Sequence, residues 1–121
     1  MADDTDRARR GAETFEKVVG RPIHPAGSPF TEAAQNFVFA EVWARPGLDL
    51  RSRRWITLAC VCAARAPVAI KTYMKAALDS GDITPDEMRE FILQFGVFQG
   101  FPKAAEAELI LGELLRERAS Q

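Results

Sequence analysis

Histidine, cysteine and tyrosine are scarce in this chain of 121 residues, which holds one, two and one of them. A lone histidine, His24, starves any zinc-type site of ligands, so no metal centre is expected. Two cysteines are too few for a disulfide framework, and nothing points to export, so reduced thiols in the cytoplasm are the default. An excess of either charge is also missing. Sixteen basic residues face 17 acidic ones for a formal net charge of −1, a balance that gives no field to hold DNA, RNA or an anionic membrane. Long apolar runs are absent too. No stretch approaches the ~20 apolar residues of a membrane span, and "MADDTDRARRGAETF" has no apolar segment of signal-peptide length.

Apolar residues make up 47% of the chain, enough for a core and inconsistent with disorder. The length suits a single domain over residues 1–121. No segment alternates polar and apolar residues in the manner of a strand. The chain reads as helices separated by Pro/Gly breaks, an all-α bundle of about six.

The first helix covers roughly residues 5–19, with Ala8, Ala12, Phe15 and Val19 on one face. "GRPIHPAGSP", residues 20–29, holds three prolines and two glycines and is a loop. A second helix runs from about 30 to 44, where Phe30, Ala34, Phe37, Val38 and Glu41 keep a spacing of three to four. On that spacing Glu41 continues an apolar, partly buried face. "RPGLD" ends it, and a third helix runs from near Arg51 to about Arg65 with Asp49 as N-cap. Pro67 opens a fourth, closed by Gly81. "TPDE", residues 84–87, has the form of a capping box and opens a fifth. Gly100 stops that helix, Pro102 opens the sixth, and "LRERASQ" reads as a solvated tail.

Cys60 and Cys62 fall within the third helix. Residues two apart on a helix point about 200° from each other, so the pair can neither close a disulfide nor jointly hold a metal. At most one faces the core.

The segments "FAEVWARPGLDLRSR" and "KAALDSGDITPDEMREFILQFGVFQGFPKAAEA", with the helical hairpin between them, together resemble the carboxymuconolactone decarboxylase family. The resemblance covers roughly residues 12–117. It implies an alkylhydroperoxidase D-like helical subunit in a homo-oligomeric ring, a trimer or hexamer, working on a small molecule without metal or organic cofactor. The implied reaction is a carboxy-lyase step on a small carboxylated cyclic or lactone compound in aromatic catabolism. Such a step needs cations for the carboxylates, a general acid and apolar walls.

Glu41, Trp43, Arg45, Arg51 and Arg53 stand where the family has the same residue types, and His24 matches a histidine of a similar loop. Tyr73, in "KTYMKAAL", stands where the family has histidine, and Phe98, in "GVFQG", where it has tyrosine. The acid thereby moves from an imidazole with pKa near about 6.5 to a phenol near about 10. The resemblance assigns proton handling to Glu41, Tyr73 and His24, carboxylate binding to Arg45 and Arg53, and apolar walls to Trp43 and Phe98.

Plainer roles stand beside these. Glu41 has Arg45 four residues on as a surface partner, the tryptophans suit core or subunit contacts, and Arg54 reads as solvated. The redox members of the superfamily carry Cys-x-x-Cys where this chain has Ala66 and Ala69, and a glutamate where it has Arg54, which excludes a thiol peroxidase. Two other functional classes fit the substituted positions. One is a non-catalytic binding or assembly protein; the other is a cofactor-free isomerase, cyclase or oxygenase of secondary metabolism.

Overall fold

Prolines and glycines cut the chain into its elements in the order the sequence sets. A computed structural model describes residues 4–121, and these are all-helical, with six helices and no strand among them. Helix α1 is Asp4–Val19 and α2 is Pro29–Ala33, which passes without a break into a π-helical stretch, Ala34–Val42. Then follow α3, Leu50–Ala63; α4, Pro67–Ser80; α5, Pro85–Gln99; and α6, Phe101–Ala119. Among the described residues no helix is long and apolar enough to cross a membrane. The helices fall into two compact units, divided within α3 between Arg53 and Arg54.

In the first unit, α1 crosses the π-helical stretch at Gly11. A Cβ there would lie 2.0 Å from the backbone oxygen of Gln35, so only glycine allows this approach. Gln35 Nε2 fastens the crossing by donating to the Ala8 carbonyl at 2.7 Å. The π-helical stretch bonds from residue i to i+5, as in Trp43 N–H to Val38 O at 2.9 Å. Residues five apart therefore come into register. This displaces the face expected from a spacing of three to four. Phe37 is 60% exposed and Val38 is exposed as well, while Phe39 and Ala40 are buried in their place. Glu41 accordingly sits half-buried among charged side chains, not on an apolar face.

The second unit has a continuous apolar core. Leu58 and Cys62 of α3 join Ile70, Met74 and Ala77 of α4, Met88 and Ile92 of α5, and Ala107, Leu111 and Leu114 of α6. Local signals set the helix ends. Gly81 takes φ +80° after α4, a conformation that costs glycine little. Asp49 Oδ1 accepts from Ser52 N–H at 2.6 Å, and that bond holds its carboxyl below the usual range. Thr84 Oγ1 accepts from Glu87 N–H at 3.1 Å while Glu87 Oε1 accepts from Thr84 N–H at 3.0 Å. Thr84→Ala should therefore cost about 1 kcal/mol, read as a lower urea midpoint, and Thr84→Ser should restore it. A second capping box, Ser28 with Thr31, starts α2. The C-terminal turn is exposed as expected but tied to α4, by Lys71 to Glu117 at 2.9 Å and Arg118 to Asp79 at 3.0 Å.

Candidate functional site

Arg7 and Arg10 lie one turn apart on α1 and so share a face. Both reach Glu41 on the π-helical stretch. Arg10 Nη2 donates to Glu41 Oε1 at 2.9 Å, and Arg7 Nε stands 3.4 Å from the same oxygen. The partner anticipated along its own helix, Arg45, lies beyond the π-helical stretch in the turn after it. Trp43 stacks on Phe39, with ring centroids 6.3 Å apart and planes 10° from parallel, and Phe39 meets the edge of Phe15 at 4.9 Å. Arg53 Nη2 donates to the backbone carbonyl of Arg45 at 3.1 Å, which ties the first turn of α3 to the segment that carries Arg45. The Nε of Arg53 is buried without a hydrogen-bond partner. His24 is exposed on the loop after α1.

Tyr73 and Phe98 belong to the second unit. Tyr73 is half-buried on α4 and packs against the apolar core, and burial pushes its phenol above the ordinary range. It is therefore a proton or hydrogen-bond donor at neutral pH, and a poor base. Phe98, on α5, is 77% exposed. Exposure at that level makes it a surface residue of this chain, on the same helix as exposed Leu93 and Val97.

Arg54 is not solvated. It is 2% exposed and donates from Nε to Asp82 Oδ2 at 2.8 Å. Arg54, Leu58 and Cys62 recur at intervals of four and are all buried, so one helical stripe carries the arginine inward, and the Asp82 carboxylate offsets its buried charge. Cys62, on that stripe, has its thiol pushed up to about 11 by burial, with the nearby Glu106 carboxylate adding to it. Burial keeps the Cys62 thiol protonated at neutral pH, whereas Cys60, two residues back on the helix, is exposed.

Sequence reasoning missed Arg7 and Arg10. The signal was present in "DRARRG", where two arginines three apart precede the glycine that allows the crossing. It had meaning only once the element facing that glycine was known.

The fold is all-helical, and its ionisable groups include a carboxylate held by two guanidiniums, a half-buried phenol and a buried thiol. The sequence profile of the carboxymuconolactone decarboxylase family matches residues 28–113, and the chain belongs to that family. It is 25% identical over 123 aligned positions to the 4-carboxymuconolactone decarboxylase of Acinetobacter baylyi, covering 95% of this chain and 91% of the relative. It is 29% identical over 107 positions to the nitrosuccinic acid decarboxylase of Metarhizium robertsii, covering 88% of this chain and 73% of the relative. Both named activities are decarboxylations, and the chain is decarboxylase-like at that level.

Proposed function

We propose that the protein is a cofactor-independent carboxy-lyase acting on a small compound with more than one carboxylate. The observation that carries this reading is membership of the family over residues 28–113 together with two relatives named as decarboxylases. Those two named substrates differ in skeleton. One name carries a lactone and the other a nitro group, and either group can accept an electron pair released by loss of CO₂.

In the step proposed, the bond between a substrate carbon and its carboxylate breaks. CO₂ departs and the electron pair delocalises into the activating group. A proton then returns to carbon. Arg45 and Arg53 orient the carboxylates as guanidinium forks, Trp43 and Phe98 supply apolar contact to the departing CO₂, and Tyr73 donates the proton. Glu41 and His24 are the other groups available for proton handling. The raised pKa of Tyr73 favours the donor role. The working assembly is a homo-oligomer, a trimer or hexamer, for which the exposed Leu93, Val97 and Phe98 of α5 offer contact surface. That same surface supports a second reading, an assembly protein that kept the helices without the chemistry.

The two readings separate in a direct assay. CO₂ release is followed with 4-carboxymuconolactone and with nitrosuccinate, for the wild-type chain and for Glu41→Gln. The carboxy-lyase reading expects turnover of one of these compounds, reduced more than tenfold in the variant. No turnover of either by folded protein would favour the assembly reading.

A further inference from the structure

The cluster formed by Arg7, Arg10 and Glu41 carries an imbalance that the functional reading above leaves unused. Two guanidiniums face one carboxylate, and both approach a single oxygen of it, Oε1. Arg7 Nε lies at ion-pair distance from Oε1, yet it is a buried donor with no hydrogen bond of acceptable geometry. A guanidinium offers several donors arranged for bidentate contact, and Glu41 meets neither arginine in that way. The Arg7 Nε–H is thus a donor that an anionic acceptor in the plane of the guanidinium could take. The three charged side chains are 38%, 39% and 43% exposed, open enough for a ligand to reach and covered enough for charge to count.

We propose that Arg7 and Arg10, converging on Glu41, form an anion site for a ligand carboxylate, with Glu41 as the internal carboxylate that the ligand displaces. An incoming carboxylate takes the arginine fork in two-pronged fashion and satisfies the Arg7 Nε–H that Glu41 leaves unbonded. Displacement frees Glu41 from its guanidiniums. In that last respect alone the inference rests on the carboxy-lyase reading, since a freed Glu41 becomes available for proton handling only when a carboxylated ligand is bound.

The sign of one substitution tests the inference. A substrate-binding role for Glu41 predicts weaker ligand binding when it is neutralised, whereas an internal competitor predicts tighter binding. Succinate is titrated into the full chain labelled with nitrogen-15, and the side-chain Nε–Hε resonances of Arg7 and Arg10 are followed. Saturable shifts of both are expected. Glu41→Gln should tighten succinate at least threefold, and Arg10→Gln should weaken it at least fivefold. Arg7→Gln gives the same reading if Arg10→Gln fails to fold. Unmoved arginine resonances overturn the site, and unchanged or weaker binding in Glu41→Gln overturns the displacement. Inorganic phosphate serves as the second probe, and binding as tight as that of succinate overturns the assignment to carboxylate. None of these readouts needs turnover. Succinate binding without CO₂ release would therefore leave the site standing while the carboxy-lyase reading fell.

Discussion

Replacing Tyr73 by phenylalanine is expected to lower turnover more than tenfold on whichever carboxylated substrate is used, with the helical content unchanged. The change deletes one oxygen and keeps the ring that packs against the core, so stability should fall far less than activity. Positioned general acids contribute about 10²–10⁴-fold, and Tyr73 stands where the family resemblance puts the acid. A pH profile gives an independent check. The reactive form is the protonated phenol, and burial raises its pKa. Activity that depends on it should hold through the neutral range and decline only above the ordinary phenol value of about 10. A decline near neutral pH would mean that the Tyr73 phenol does not set the profile. Unchanged turnover in Tyr73→Phe would remove the residue from the chemistry.

Gly11→Ala should be the most damaging small substitution in the first unit. Helix propensity by itself predicts the opposite, since alanine gains about 1 kcal/mol over glycine within a helix. The tertiary contact decides the sign. The added Cβ would stand 2.0 Å from the Gln35 carbonyl oxygen, a backbone atom that cannot rotate away, so the two helices must separate. Overpacking typically costs about 1–3 kcal/mol. The separation also strains the bond from Gln35 to Ala8 and the bridge from Arg10 to Glu41. A net loss of about 2–4 kcal/mol is expected, seen as a fall of about 1–2 M in the urea midpoint. A stability gain of about 1 kcal/mol would mean that the crossing is looser than described. Because the same crossing brings Glu41 onto Arg7 and Arg10, loosening it weakens the internal competitor, and succinate binding should tighten in this variant as in Glu41→Gln.

The helix ends were legible because they depend on neighbours in sequence. Thr84 with Glu87, Gly81 after α4 and Asp49 before α3 each act within a few residues. The cysteines were legible for the same reason, since their separation on one helix follows from helical periodicity. The family was legible in the order of its motifs, and residues 28–113 match its profile. The face of the second helix was not. Phe37 and Val38 carry the spacing of a buried α-helical stripe, and a single-helix argument cannot anticipate the i→i+5 register that turns Phe39 and Ala40 inward.

The sequence by itself thus determined that the chain is helical, where most helices begin and end, that at most one thiol faces inward, and the family to which it belongs. Each of these follows from dihedral preferences, capping and periodicity that act over a few residues, or from an ordered set of motifs. Only the tertiary structure decided that Glu41 is held by Arg7 and Arg10, 34 and 31 positions away, that Arg54 is buried against Asp82, and that Phe98 lies on the surface. Charge pairing and burial depend on which helix faces which. That choice is made by close approaches such as Gly11 on Gln35, whose partners no local spacing names.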